Sequence, residues 1–421
     1  MLQNKEKKEI LFYIVLTLIC GLHSGLNFLF IAIMVLQIKN GYEGFLKICL
    51  WLTLKQNMDL PPFTSIFTGT QINLKLLFLS AGAIWILVNY IQRYKGKIPY
   101  CCAMVFLFGI SAMVSAVFYG SYPVAGIIKV LSFIVILLAI IVSVLESYKT
   151  FDFETYLYYV LSGVMIVSLG TLFYGGAYLQ GSAGNLFKGI WNHPNDFGVI
   201  CALYLAIALI RCTKISYIPS IQILIVMVMI YFSRSRGAMI ASIGILVTYF
   251  IFCEKASDRI IIGTFFLGII LALCLTKFGV TMERFFLKGS ETISTDLFSS
   301  RDEIKTIAMN RFSSNKLFGR GLLIPYEPGI VSYTFNVDGI EPGNIFYELL
   351  AGTGVIGTFC FARMILYFFI KGIGKRRIYV FAVILASISE VSFFSVNNYA
   401  CLYYFLLIFC FVPLNKCNKT N

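Results

Sequence analysis

Residues 123–145 read PVAGIIKVLSFIVILLAIIVSVL, an apolar run broken only by Lys129, and this run decides the fold class of the chain. About 20 apolar residues in a helix cross the ~30 Å hydrocarbon core of a bilayer, so the run predicts a transmembrane helix. Charge inside a membrane is costly and usually marks a functional site. Lys129, which lies six residues in from the start of the run, is therefore a candidate substrate-binding residue.

The rest of the chain repeats this apolar pattern. Of its 421 residues, 59% are hydrophobic and 13% are charged, and the mean hydropathy is +0.84. This composition is typical of a polytopic membrane protein. We therefore predict an all-α fold of about 12 transmembrane helices with one large external loop, and we place the spans at residues 10–38, 72–91, 100–118, 123–145, 154–174, 196–210, 215–232, 237–252, 258–277, 344–370, 377–394 and 398–414.

Two apolar stretches near the N-terminus do not fit the standard length. Residues 10–38 would extend roughly 43 Å as one helix, so we expect the polar cluster around His23 to kink it, with His23 buried in the span. Residues 43–54, EGFLKICLWLTL, are too short to cross the bilayer. We predict an amphipathic helix on the outer leaflet there.

The basic residues of the short loops predict the orientation. The segments on the side of the termini hold seventeen Lys and Arg, whereas the short loops on the other side hold Lys188, Arg234 and Arg236 alone. Basic residues accumulate on the cytoplasmic side, so both termini are predicted to be cytoplasmic. We divide the chain into an N-terminal bundle of about nine spans (1–277), an external, periplasmic loop (278–343) with a helix over 300–312, and a C-terminal group of three spans (344–421).

Charge and cysteine content exclude several function classes. The net charge of +14 reflects the topology signal, because no module combines basic and aromatic residues as a nucleic-acid-binding domain does. The twelve cysteines lie mostly in predicted spans, and the vicinal pair Cys101-Cys102 has no second pair at ligand spacing. We expect no metal, no cofactor and no nucleic-acid partner.

Polar residues gather in three predicted external segments. The first is 175–198, which contains Asn192, His193, Pro194 and Asn195. The second is Ser233-Arg234-Ser235-Arg236-Gly237. The third is the long loop and the start of the next span, with Arg301, Arg311, Leu317-Phe318-Gly319-Arg320-Gly321, Glu341, Asn344 and Glu348.

Arginines at the mouth of a helix bundle indicate a phosphorylated lipid headgroup. The guanidinium group is planar, always charged and offers a fork of donors that matches phosphate and pyrophosphate. A carboxylate or a histidine beside it could accept a proton. His193 stands before a proline and an asparagine, which favour a turn that begins a helix.

Four motifs in this order resemble the O-antigen polymerase and ligase family of bacterial envelope glycosyltransferases, best over residues 170–370. They are His193-Pro194-Asn195 at the entry to a span, Ser235-Arg236-Gly237 opening another, Arg301 followed by a helix and Leu317–Gly321, and the segment 344–357, NIFYELLAGTGVIG.

The resemblance implies a GT-C-like glycosyltransferase in the bacterial cytoplasmic membrane that joins repeat units carried on polyprenyl pyrophosphate. Membrane lipids, a flippase and a chain-length regulator are the implied partners. Arg236 and Arg301 would neutralise the departing pyrophosphate, Glu341, Glu348 or His193 would accept the hydroxyl proton, and the implied substrate-binding residues are Arg234, Arg311, Arg320, Asn195, Asn344 and Lys129.

One position departs from the family pattern. In the ligase branch the residue before the last asparagine is a histidine, whereas here it is Gly343. This difference favours a polymerase of O-antigen, capsule or exopolysaccharide units. Two alternatives stay open: a ligase that transfers finished glycans to a lipid A core, and a flippase or exporter of lipid-linked units, which would bear its polar residues at mid-membrane.

Overall fold

The structure is a computed structural model of the whole chain. It describes residues 4–61, 66–181, 184–211, 217–253, 259–260, 262–263, 302–325, 339–340, 342–389, 393–396 and 398–412. Two candidate residues, Arg301 and Glu341, lie outside the described residues, as do the segment 278–300 and most of the predicted span 258–277.

The described chain is almost entirely helical. Its two short antiparallel hairpins pair β1 (Tyr178–Gly181) with β2 (Gly184–Phe187) and β3 (Ile324–Pro325) with β4 (Gly339–Ile340). The helices are α1 (Asn4–Gly21), α2 (Ser24–Leu36), α3 (Gly41–Asn57), α4 (Thr70–Arg93), α5 (Tyr100–Tyr119), α6 (Pro123–Ser147), α7 (Phe153–Gly170), α8 (Pro194–Arg211), α9 (Tyr217–Ser233), α10 (Arg236–Phe252), α11 (Asp302–Ser314), α12 (Ile345–Lys371), α13 (Ile378–Ser389) and α14 (Ala400–Phe409).

Seven helical runs in the described ranges are long and apolar enough to cross a membrane. They are α4, α5, α6, α7, α8, α12 and the run Ser24–Asn57, which contains α2 and α3. The shorter apolar helices are Ile221–Ser233, α10 and α14. These lengths and compositions fit a polytopic all-α membrane protein.

The first predicted span is two helices that fold back on each other. His23 caps α2, because its Nδ1 accepts a hydrogen bond from the Gly25 amide at 3.0 Å. Gln37, beyond the end of α2, donates to the Tyr13 hydroxyl in the middle of α1 at 2.5 Å. The expected kink is therefore a full reversal, and His23 is exposed in it rather than buried.

The prediction of a surface helix at 43–54 is wrong. Every residue of α3 from Gly44 to Lys55 is buried. Lys47 forms an ion pair with Glu9 of α1 at 2.8 Å, and Trp51 donates to the Tyr156 hydroxyl of α7 at 3.0 Å. Lys47, which also pairs with Glu43 at 2.7 Å, is thus neutralised inside the bundle, where α3 packs as a core helix.

The helices alternate in direction and give the bundle two ends. We call the end at which α1 begins the proximal end and the opposite end the distal end. Ion pairs join helix termini at the proximal end: Arg211 contacts Asp152 at 3.3 Å, and the buried Arg376 contacts Glu154. Arg376 also donates to the carbonyl of Phe409, which caps the buried α14.

Candidate functional site

The first group of polar motifs joins at the distal end, where α8 and α10 begin side by side. Gly198 makes this contact close, since a Cβ on it would lie 2.7 Å from the Ser235 Cβ and 2.8 Å from the Ala238 Cβ. The start of α8, which follows His193, therefore packs against the start of α10, whose first residue is Arg236. The structure brings these two motifs together.

The turn before α10 is fixed by its own serines. The Ser233 hydroxyl donates to the Ile230 carbonyl at 2.7 Å and accepts from the Ser235 amide at 3.3 Å. Both serines are buried, whereas Arg234 and Arg236 are half-buried. Arg234 has φ +51°, a left-handed conformation that is uncommon for a residue with a side chain. Strain of this kind gathers at binding and active sites.

His193 acts as a helix cap. Its Nδ1 accepts a hydrogen bond from the Asn195 amide at 3.1 Å, one residue after Pro194 begins α8. A neutral imidazole that accepts at Nδ1 carries its proton on Nε2. This tautomer, assigned from the hydrogen bond, leaves Nε2–H of the exposed ring as a donor. Nδ1 cannot accept a proton unless its hydrogen bond to the Asn195 amide is lost.

The second group of motifs forms around a break in α12. Gly354 has φ +63° and ψ −166°, so the helix ladder stops there. The freed amides of Val355 and Ile356 donate to the carbonyls of Lys316 and Leu317 at 2.8 and 3.2 Å. Lys316 and the first residue of the motif Leu317–Gly321 thus supply the hydrogen bonds that the broken helix lacks.

The same motif also satisfies the carbonyls before the break. The Arg320 amide donates to Ala351 at 2.8 Å, and the Gly321 amide donates to Gly352 at 2.9 Å. The buried Ser115 hydroxyl of α5 donates to the Gly352 carbonyl at 2.5 Å and accepts from the Gly321 amide at 3.0 Å. Sequence reasoning missed Ser115, because nothing in its local sequence distinguishes it from other serines of an apolar helix.

Lys129 and Glu348, two of the predicted site residues, form an ion pair. The Lys129 Nζ lies 3.0 Å from a Glu348 carboxylate oxygen, and their side chains are 13% and 1% exposed. Lys129 also donates to the Leu322 carbonyl at 3.2 Å. The pair therefore connects α6, α12 and the segment after Gly321, and it is shielded from solvent.

Arg311 of α11 and Arg320, which follows α11, differ in their surroundings. Arg311 of α11 donates to the Ser121 hydroxyl at 3.0 Å and to the carbonyls of Arg320 and Leu323. Burial, together with the charge of Arg320, lowers the pKa of Arg311 to about 10, which leaves it charged at neutral pH. Its donors hold the loop in place. Arg320, in contrast, is exposed and donates to Ser314 at 3.0 Å.

Helix α11 lies on the first half of α12. Ala308 packs against Ala351, and the Lys305 ammonium lies 5.7 Å from the centre of the Tyr347 ring. Asn344 caps α12 by accepting from the Phe346 amide at 2.9 Å. The predicted helix over 300–312 is thus confirmed as Asp302–Ser314.

A further ion pair at the distal end escaped the sequence analysis. Lys188 lies 3.1 Å from the Asp59 carboxylate, and the Asp59 amide donates to the Ile190 carbonyl at 2.8 Å. These contacts fasten the loop before His193 to the end of α3. Among the residues that the structure describes, no group of three His, Cys, Asp or Glu could hold a metal ion.

One protein-family model matches part of the sequence. Residues 221–362, from α9 to the middle of α12, match the model described as O-antigen ligase. The matched stretch contains the Arg236 turn, α11, the Leu317–Gly321 motif and the break at Gly354. It does not contain His193 or Lys129. No curated protein matches the chain.

Proposed function

We propose, from the match of residues 221–362 to the family model described as O-antigen ligase, that this chain is a membrane glycosyltransferase that polymerises repeat units on polyprenyl pyrophosphate. The observation that carries the proposal is the packing of the Arg234–Arg236 turn against the His193 helix start, at one end of the bundle and not in its middle. The polymerase as such, its lipid-linked substrates and its outer-face location are parts of this proposal.

The arginines carry the proposed chemistry. An acceptor hydroxyl displaces polyprenyl pyrophosphate at the anomeric carbon of the donor glycan, and negative charge grows on the departing phosphate. Arg236 and Arg301 neutralise this charge, and Arg234 supports them, because preorganised donors stabilise developing charge. His193 adds an Nε2–H donor in its capping tautomer. In the proposed mechanism, the arginines neutralise the charge of the leaving group without a metal or a cofactor.

The acceptor proton leaves late in the proposed mechanism. Glu348 is 1% exposed and paired with Lys129, so it positions α12 and does not meet the acceptor. Among the candidate bases this leaves Glu341. Without a protein base, the proton passes to the departing pyrophosphate as the bond to the leaving group breaks. Arg311 holds the loop, while the exposed Arg320, with Asn195 and Asn344, contacts the glycan or its phosphate.

Gly343 supports the polymerase branch. Its φ is +66°, a conformation that side chains rarely adopt. A histidine at this position would be strained, so the backbone before Asn344 is built for glycine. The ligase, which transfers glycan to a lipid A core, is the alternative, and the concentration of motifs at the distal end disfavours a flippase or exporter.

The proposed topology places the distal end outside and both termini in the cytoplasm of a bacterial inner membrane. The reversal at His23 and the buried α3 add two crossings to the predicted twelve. The number of crossings stays even, so both termini stay on the same side of the membrane. A flippase would supply the lipid-linked units, and a chain-length regulator would limit the product.

The proposal is tested with the purified full-length chain in lipid nanodiscs. Given polyprenyl-pyrophosphate-linked repeat units alone, a polymerase makes lipid-linked chains of several units. A ligase makes product only when a lipid A core is added. Product that depends on the lipid A core would contradict the polymerase assignment.

A further inference from the structure

The loop before His193 has a defined backbone. It begins at Lys188, directly after β2. The Lys188 amide donates to the Ala177 carbonyl at 2.8 Å, and the Trp191 amide donates to the Lys188 carbonyl at 3.1 Å. Gly189 has φ +59°, which allows the chain to turn between these two contacts. The Trp191 side chain is fully buried, so the loop packs as part of the core.

The end of α3 lies beside this loop in the manner of a short antiparallel strand. The Asp59 amide donates to the Ile190 carbonyl at 2.8 Å, and the Asn192 amide donates to the Asn57 carbonyl at 3.0 Å. These two hydrogen bonds fix the backbone as far as the residue directly before His193. The place of this histidine is therefore set by α3, a helix that is distant from it in the sequence.

One side chain closes the contact between the loop and α3. The Lys188 ammonium lies 3.1 Å from the Asp59 carboxylate and donates to the Asp59 backbone carbonyl at 2.8 Å. Lys188 is 6% exposed. A buried ammonium is costly unless its charge and its hydrogen bonds are satisfied. Lys188 therefore holds the backbone and the side chain of Asp59 in one position.

His193 lies between two fixed points. On one side the Asn192 amide is bound to α3, and on the other side the His193 Nδ1 accepts from the Asn195 amide at 3.1 Å. Beyond this cap, α8 packs closely against the start of α10 through Gly198. The direction of the ring relative to the Arg234–Arg236 turn therefore depends on where α3 holds the loop.

We propose that Lys188 and Asp59 are positioning residues, whose ion pair holds His193 so that its Nε2–H faces the pyrophosphate of the donor. Neither residue contacts the substrate, and both act through His193. The inference rests on the proposed function for the identity of this phosphate. The tautomer and the order of the ring are independent of that function and are measured without substrate.

Nitrogen NMR of the histidine ring tests the proposal. The chain has two histidines, and His23→Asn leaves one ring to observe while it keeps a side chain that can cap α2. The full-length chain is labelled with ¹⁵N-histidine and studied in nanodiscs at alkaline pH, where a histidine ring is neutral. We expect His193 to show one tautomer, with the proton on Nε2. We expect Lys188→Met to give a mixture of both tautomers.

Three further variants make this comparison specific. Lys188→Arg keeps the charge and should keep the single tautomer. Asp59→Asn keeps the shape but removes the charge of the carboxylate, and it should also give a mixture. It replaces Lys188→Met if that variant does not fold. Glu146→Gln is the matched control, because it removes a carboxylate from the Arg93–Glu146 ion pair at the proximal end. It should leave the tautomer of His193 unchanged.

Chain extension shows whether the ion pair acts through His193. We expect Lys188→Met to lower kcat for lipid-linked repeat units roughly tenfold at nearly constant KM, because a donor to developing charge contributes in the transition state. The double variant Lys188→Met/His193→Ala should extend chains as fast as His193→Ala alone. Effects that pass through one residue do not add, whereas a general loss of structure would add to the loss of the ring.

Several outcomes would overturn the inference. They are a single tautomer in folded Lys188→Met and Asp59→Asn, additive losses in the double variant, and a mixture of tautomers in Glu146→Gln. If the tautomer is unchanged while Arg236→Ala abolishes polymer, the positioning role is wrong and the proposed function stands. If the tautomers mix as expected but Arg236→Ala and Lys188→Met both extend chains normally, the ion pair positions His193 and the proposed function is wrong.

Discussion

Gly319 and Gly354 pack backbone against backbone at the break in α12. A Cβ on Gly319 would lie 2.6 Å from the Gly354 nitrogen, and a Cβ on Gly354 would lie 2.4 Å from the Leu317 oxygen. Both glycines have positive φ, +70° and +63°. The motif Leu317–Gly321 and the segment 352–357 are therefore one structural unit, although they were separate motifs in the sequence.

Alanine at either glycine should break this unit. We expect Gly319→Ala and Gly354→Ala to lower the free energy of unfolding by about 1–3 kcal/mol each, because both space and φ exclude a side chain. The two effects should not add, since they disrupt one contact. Thermal unfolding in detergent measures this. Gly170→Ala is the control, because nothing lies within 4 Å of a Cβ there. Additive effects would contradict a shared contact.

Two substitutions of Arg234 separate the effect of its backbone strain from the effect of its charge. Its φ of +51° suits glycine, so Arg234→Gly should keep the turn and raise stability by up to about 1 kcal/mol. Arg234→Ala keeps the strain and loses the charge. We expect both variants to lose polymerisation to a similar extent, because both lose the guanidinium. Near wild-type polymer from Arg234→Gly alone would show that Arg234 matters for its backbone only.

The pair Lys129–Glu348 should behave as a buried structural ion pair. Removing one partner, by Lys129→Met or Glu348→Leu, strands the other charge and should cost about 3–5 kcal/mol. The double variant should recover most of that stability and detectable polymer. The unfolding midpoint measures stability, and the ladder of product chain lengths measures polymer formation. A stable double variant with no polymer at all would instead assign Glu348 a chemical role.

His193 is expected to serve as a cap and a donor. Asparagine can also accept from the helix amide, so His193→Asn should retain stability, whereas His193→Ala should lose about 1 kcal/mol. Both variants should keep detectable polymer, and the pH profile of His193→Asn should match that of the wild type. A general base typically contributes 10²–10⁴-fold. A loss of that size in both variants, together with an altered pH profile, would identify His193 as the base.

The distal motifs were accessible from sequence because polar residues are conspicuous in an apolar chain. Arg236, His193 and Asn344 were found in this way, and the structure places each at a helix start. Lys129 and Glu348 were found singly, but their pairing was not, because 219 residues separate them.

The position of helix α3, in contrast, could not be predicted from the sequence. Residues 43–54 were predicted to form a surface helix because they are too few to cross the bilayer. Lys47 pairs not only with Glu43 but also with Glu9, 38 residues away, and local periodicity carries no information about a distant partner. The contact between Gly319 and Gly354 was also out of reach, since it depends on backbone hydrogen bonds that no side chain reports.

Polymer formation by purified Arg236→Ala tests the central claim most directly. The full-length chain in nanodiscs is given lipid-linked repeat units, and the rate of chain extension is compared with Arg236→Lys and with Arg93→Ala, an exposed arginine at the proximal end. We predict a loss of roughly 10²–10³-fold for Arg236→Ala, poor rescue by lysine because the donor fork is lost, and a normal rate for Arg93→Ala. A wild-type rate of chain extension by folded Arg236→Ala would contradict the proposed role of Arg236.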